Sequence, residues 1–222
     1  MKSSVFLRII NIGILLIFGL IIFHAPITVW LSTLIPDHAL LIKAWKEVLM
    51  LTISICLIIF VAVRKDIKRF LSDKLIYISL IYIALHLIMA VVLKGDKQQL
   101  IAGLMIDLRY IVFFILVYIT VQYAPNIRRY ILLIFGGASI TSIFFALLQI
   151  FILPKDFLAN IGYGKNTIEP YLTVDRNNNF IRINGTLRGP NPLGALTVIW
   201  AIFTCVFAAM HRRFTHQKWW IF

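Results

Sequence analysis

Two groups of residues carry most of the chemistry this sequence offers. The first is the stretch Arg182-Ile183-Asn184-Gly185-Thr186-Leu187-Arg188-Gly189-Pro190-Asn191-Pro192-Leu193-Gly194. Two arginines precede the opening of an apolar helix, with Asn191 placed to cap it and Pro192 tolerated at its first position. A helix start presents free backbone N–H groups. With guanidiniums at Arg182 and Arg188 beside it, the arrangement suits a phosphate or pyrophosphate. Gly185 and Gly189 let the backbone turn tightly or approach a ligand. The stretch is not a nucleotide-binding P-loop, because no Gly-Lys-Ser/Thr follows at the required spacing. The competing reading is a solvated turn whose arginines hold anionic lipid head groups.

The second group is Asp107 and Arg109, inside an apolar run. An ionisable side chain within a membrane span is unfavourable unless it faces a cavity or a partner. Two residues apart on a helix, these two point to different faces and do not pair closely with each other. With a helix start near Leu100, Arg109 lies about 13 Å along the axis. Either it faces a cavity, or the helix starts shallower and both charges lie near the head groups.

Other polar residues point to less. His24, His38, His86, His211 and His216 are scattered, and Cys56 and Cys205 each sit in an apolar run, so no metal-ligand spacing is present. His86 reads as a hydrogen-bonded interior residue. Asn184-Gly185-Thr186 matches a glycosylation acceptor, a pattern common by chance. Gly136-Gly137-Ala138-Ser139 suits close helix packing. The segments Gly162 to Asn166 and Asp175 to Asn179 read as loop and turn chemistry.

The elements that must position these residues are set by hydrophobicity. Of the 222 residues 61% are hydrophobic, and the mean hydropathy is +0.92. That is more apolar surface than a soluble domain of this size hides, so lipid is the expected solvent. The net charge of +13 does not indicate a nucleic-acid partner, because the cations form short clusters between apolar runs. Six runs are long enough to cross about 30 Å of hydrocarbon. They lie at about 9–34, 49–63, 75–93, 100–123, 130–153 and 193–210, the first bent near Pro26 and the second with a possible outer extension over 40–48. The expected fold class is all-α: a polytopic transmembrane helical bundle, one membrane domain over 1–222. The N-terminal run is too long for a signal peptide and no cleavage site follows it, so it reads as a retained helix.

Orientation follows from loop cations. Lys2, Arg8, Arg64, Lys65, Lys68, Arg69, Lys74, Arg128, Arg129, Arg212, Arg213 and Lys218 fall on one side, against Lys43, Lys46, Lys94 and Lys97 in the short loops of the other. The positive-inside rule places the first set, and both termini, in the cytoplasm. The loop 154–190 then faces outward, and its cations run against the rule. The tail Trp219-Trp220-Ile221-Phe222 reads either as the start of a further helix or as an interfacial anchor.

The stretches Arg182-Ile183-Asn184-Gly185-Thr186 and Pro190-Asn191-Pro192-Leu193-Gly194, after an outward loop, resemble the O-antigen ligase and O-antigen polymerase family of membrane glycosyltransferases. The preceding helix arrangement is similar too, so the resemblance spans most of the chain. It implies transfer or polymerisation of a glycan from an undecaprenyl-pyrophosphate carrier on the outer face of the bacterial inner membrane. Lipid A–core is the acceptor for ligases and a growing glycan for polymerases. It implies no cofactor and no metal, and the expected partners are that carrier, the acceptor and membrane lipid, with no nucleic acid. It also implies that arginines bind the pyrophosphate leaving group, a role that fits Arg182 and Arg188 with Asn191, and Arg109 by location. Family members are commonly much longer, with a second outer loop that carries a histidine in ligases. The loop 154–190 has none, so the expectation is a front half of such a protein, with a flippase-like transporter or an inactive truncated remnant as the alternatives. No general base is evident.

Overall fold

The computed structural model describes residues 2–92, 96–175 and 177–218. Leu93 at the expected end of the third run, Lys94, Arg176 and the tail Trp219 to Phe222 lie outside the described residues. The chain is helical, and six helical stretches are long and apolar enough to cross a membrane: Val5–Leu34, Trp45–Val63, Lys74–Val92, Gln99–Tyr123, Ile127–Phe151 and Pro190–Met210. Each covers an expected run, with ends moved by a few residues. The chain is thus a multi-pass membrane protein by the length and composition of its helices.

The first stretch comprises α1 (Lys2–Leu20), a 3-10 turn over Ile21–Phe23 and α2 (His24–Leu34). The expected disturbance by Pro26 lies one turn before the proline. Pro26 has no N–H to give the carbonyl four residues earlier, so Ile22 loses its α-helical partner and the backbone tightens there. The short helix α3 (Ala39–Lys43) then leads to α4 (Trp45–Val63), α5 (Ile67–Leu71), α6 (Lys74–Val92), α7 (Lys97–Tyr123) and α8 (Ile127–Phe151). Pro125 stops α7 by disfavouring helical backbone at the residue before it.

Two compact units make up the chain. The first holds residues 1–19 and 43–134. Its core gathers Ile10, Ile14 and Ile17 of α1, Ile53, Leu57 and Phe60 of α4, and Leu116 and Ile119 of α7. Gly13 lets α1 close on α4, since a Cβ there would lie only 2.6 Å from Ile53 Cδ1. At one end the loop 64–73 is tied down by phenols. Tyr123 Oη donates to Asp66 Oδ2 at 2.6 Å and Tyr118 Oη to Asp73 Oδ2 at 2.9 Å. Asp73 also receives the backbone N–H groups of Leu75 and Ile76 through Oδ1, which caps the start of α6.

The second unit holds residues 20–42 and 135–222. Here the expected outward loop has structure of its own. A 3-10 turn over Phe157–Ile161 is followed by an antiparallel hairpin, β1 (Tyr171–Val174) and β2 (Asn177–Ile183), and then by α9 (Pro190–Lys218). The hairpin pairs Tyr171 with Ile183 and Leu172 with Arg182, with an irregularity after Thr173. Asp175 takes a left-handed φ of 50° at its tip, a conformation Asp tolerates better than most residues. Of the turn residues expected from Asp175 to Asn179, Asp175 is turn and Asn177 to Asn179 belong to β2. Under the loop, Leu158 and Tyr163 pack with Val29 of α2, and burial pushes the Tyr163 phenol above its ordinary pKa.

Candidate functional site

The Asn184-Gly185-Thr186 turn between β2 and α9 is buried, and its polar groups are engaged except Asn184 Oδ1, which has no hydrogen-bond partner among the described residues. Its hydrogen bonds follow from Pro26. The carbonyl of Ile22, left without its helical donor, accepts from Thr186 Oγ1 at 2.9 Å. Thr186 has one hydroxyl proton and a carbonyl can only accept, so that proton points to Ile22. The 2.6 Å contact between Thr186 Oγ1 and Ser142 Oγ must then be made with the Ser142 proton. Beside it, Gly185 N–H donates to Gln149 Oε1 at 2.9 Å, and Asn184 Nδ2 donates to the Glu169 carbonyl at 2.7 Å. Asn184 is 1% exposed. Gly185 has φ +59°, and a Cβ there would lie 3.1 Å from Leu193 Cδ1. Ser139, Ser142, Ala146 and Gln149 follow helical spacing along one buried face of α8. The small-residue patch expected at Gly136 to Ser139 extends into this polar stripe.

Two arginines flank that turn. Arg182, on β2, is exposed, and its Nη2 donates to Asn191 Oδ1. Arg188 is exposed in the bend just before α9. The helix begins at Pro190, and the first helical bond runs from Leu193 N–H to the Gly189 carbonyl at 3.4 Å. This corrects the expected helix start. Gly189 is the capping residue, Pro190 takes the first helical position, and Asn191 does not cap but orients Arg182. Proline is accommodated at either site, but Pro190 comes first and its missing N–H is one of the groups a helix start leaves free anyway. Among the described residues, neither Arg182 nor Arg188 forms an ion pair.

Arg109 sits in the first unit and has a partner the sequence reading missed. Arg109 Nη1 lies 3.6 Å from Glu47 Oε1, which also meets Lys46 Nζ at 3.2 Å. The guanidinium lies 4.9 Å from the centroid of the Tyr110 ring, and its Nη2 donates to Tyr110 Oη at 3.2 Å. Glu47 Oε2 and Arg109 Nε are buried with no hydrogen-bond partner among the described residues. Asp107 is exposed on another face of α7. The pair borders an apolar groove of about 640 Å³ between α4, α6 and α7.

The depth of that pair can be read from helix register. Glu47 meets Arg109, and Phe60 meets Tyr123 edge-on with ring centroids 4.9 Å apart. Therefore α4 and α7 run parallel, as alternate crossings of the second and fourth spans require. Both separations correspond to about 20 Å of helix. The pair is thus two-thirds of the way along a span of about 30 Å from the level of Tyr123.

No family model, no curated protein and no solved structure matches this chain. The chemistry therefore rests on the geometry of two separate places: in the second unit, two exposed guanidiniums near the start of α9 without carboxylate partners among the described residues, and in the first unit, the Arg109 guanidinium met by Glu47.

Proposed function

We propose that this protein is a membrane glycosyltransferase of the O-antigen ligase or polymerase kind, or the front half of one, that takes a glycan from undecaprenyl pyrophosphate on the outer face of a bacterial inner membrane. One observation carries the reading. The residues of the resemblance, Arg182 to Thr186 and Pro190 to Gly194, form a single structural device in which Arg182 is aimed by an amide and left uncompensated at a helix start. The carrier's pyrophosphate would lie against Arg182, Arg188 and the first N–H groups of α9. In the reaction the sugar's anomeric carbon bonds to an acceptor hydroxyl oxygen as its bond to the pyrophosphate oxygen breaks. The leaving group takes the electron pair, the acceptor hydroxyl's proton ends on the released pyrophosphate or in solvent, and cations stabilise the charge that develops on the leaving group. Arg109 is assigned a lesser role than Arg182 and Arg188, because Glu47 already offsets its charge.

The test is made in cells lacking the gene. Carrier-linked glycan should accumulate and surface glycan should fall. The 222-residue chain, or the longer protein that contains it, should restore both, and the same protein with Arg188→Ala should not, while inserting normally in the membrane. Unchanged glycan in the deletion strain would sink the assignment, and full restoration by Arg188→Ala would sink the site.

A further inference from the structure

A second recess lies in the first unit, away from the Glu47–Arg109 pair. α4 and α6 each pack on α7, and between them opens a recess of about 390 Å³, bordered by Leu57, Val61, Phe70, Ile76 and Leu116 among others. Those five floor residues are buried, while rim residues Ile58, Leu71 and Leu80 are exposed, so this is a depression in the unit rather than an ordinary lipid-facing surface. It offers a ligand no polar group: Ser54 lines it, but its hydroxyl already donates to the Met50 carbonyl at 2.8 Å. The volume equals about one turn of a helix roughly 10 Å across, too little to seat a transmembrane segment but suited to a narrow chain.

One end of the recess is closed by α5, whose Ile67, Phe70 and Leu71 line it. The same loop carries Arg64, Lys65, Lys68, Arg69 and, at the start of α6, Lys74, all exposed. Its two carboxylates, Asp66 and Asp73, accept from the tyrosine hydroxyls of α7. Five cations against two carboxylates leave the loop with an excess of positive charge above an apolar slot.

We propose that this recess binds one acyl chain of an anionic phospholipid, whose phosphate head rests on the cations of the Arg64–Lys74 loop. The pairing of a slot for the tail with cations for the head distinguishes a bound lipid from the shell of lipid around any membrane protein. This inference stands apart from the glycan-transfer reading.

Native mass spectrometry of the full chain in detergent, offered dioleoyl-phosphatidylglycerol or dioleoyl-phosphatidylcholine, tests it. The expected result is preferential retention of phosphatidylglycerol. Leu80→Trp, which fills the recess from its rim, should reduce retention of both lipids. Lys68→Gln and Lys74→Gln should each lower the preference for phosphatidylglycerol roughly fivefold, with phosphatidylcholine unaffected. Equal retention of the two lipids by the unmodified chain would overturn the proposal. So would wild-type retention by Leu80→Trp, or a lipid-free dimer that Leu80→Trp disrupts, which would assign the recess to a second copy. Should Leu80→Trp fail to fold, the two lysine variants, which leave the recess intact, decide the matter.

Discussion

Arg109 and Arg182 are both held by another side chain of the protein, but the holders differ in charge. Arg109 in α7 is met by the carboxylate of Glu47, whereas Arg182 on the hairpin is met by the amide of Asn191. A carboxylate fixes a guanidinium and offsets its charge. An amide fixes it and leaves the charge free. The first arrangement makes a cation tolerable inside an apolar span. The second keeps a cation available to an outside anion at the start of a helix, where free N–H groups add to the attraction. The loop 64–74 shows a third arrangement: its two carboxylates are bonded to phenols and form no ion pair among the described residues, and its five lysines and arginines outnumber them. Reading cations by their partners therefore separates these three places better than counting charges does.

The sharpest way to break this comparison is to remove the uncompensated charges. Arg182→Ala and Arg188→Ala should each lower glycan transfer by about 100-fold, the loss typical of a group that stabilises leaving-group charge. The assay is release of glycan from the lipid carrier in membranes containing the variant. Arg109→Ala made together with Glu47→Ala, which removes charges of both signs, should lower it far less. Equal losses at the two places would erase the distinction drawn between them.

Much of this could be read from the sequence, and the parts that could not share a physical cause. Hydrophobic length is a one-dimensional signal, so six spans emerge with ends displaced by only a few residues. The pairing of Glu47 with Arg109 joins residues far apart in the chain, and no local pattern announces it. Its available signal was a lone Glu near the start of an apolar run, with Arg109 in another. The hairpin was missed because Asn177, Asn178 and Asn179 have poor strand propensity, and of the three only Asn177 has a partner in β1. The role of Thr186 was likewise hidden. It depends on Pro26, whose consequence for the Ile22 carbonyl can be deduced, but whose replacement donor 164 residues away cannot. The misplaced cap at Asn191 is a smaller matter of choosing between two prolines.

The compensated pair supplies the next test. Glu47→Gln removes the countercharge but keeps the shape, leaving Arg109 partly buried with Lys46 beside it. The side chains retain 29% and 23% exposure, so the loss should be about 2 kcal/mol, below the roughly 3–5 kcal/mol of a fully buried pair. Thermal unfolding in detergent measures it. Arg182→Gln at the amide-held site should leave thermal stability almost unchanged, and a comparable loss there would show that Arg182 too is structural.

The Thr186 hydroxyl permits a more discriminating experiment, because its partner is an acceptor orphaned by a proline. Thr186→Val keeps the shape and removes the donor, so the buried Ile22 carbonyl loses its hydrogen bond, at a cost of about 1–2 kcal/mol. Pro26→Ala restores an N–H four residues after Ile22. In that background Thr186→Val should be much milder, in unfolding temperature and in transfer activity alike. Thr186→Ser, which keeps the donor, should be close to wild type in both backgrounds. An unchanged penalty for Thr186→Val beside Pro26→Ala would mean that the hydroxyl acts through Ser142 instead, and that the helix break and the arginine-bearing turn are not coupled through Ile22.

The smallest effect belongs to the phenol-held carboxylates, and its sign follows from Asp73. The Tyr118 hydroxyl holds the Asp73 carboxyl below its ordinary value of 3.8, with burial opposing and the Ile76 and Leu75 N–H groups and the Arg69 charge assisting. A carboxyl whose folded-state pKa is depressed contributes stability that is fully present above its unfolded value and is lost as pH falls through the folded one. The contribution of Asp73 should therefore be constant from neutral pH down to about pH 5 and fade below about pH 4. Tyr118→Phe should reduce this acid sensitivity without altering lipid-carrier chemistry. If Tyr118→Phe instead left the acid limb unchanged and shifted the lipid preference of the Arg64–Lys74 loop, then Tyr118 would act on the nearby cations rather than on Asp73. The third arrangement would then collapse into the first, with a carboxylate offsetting a cation.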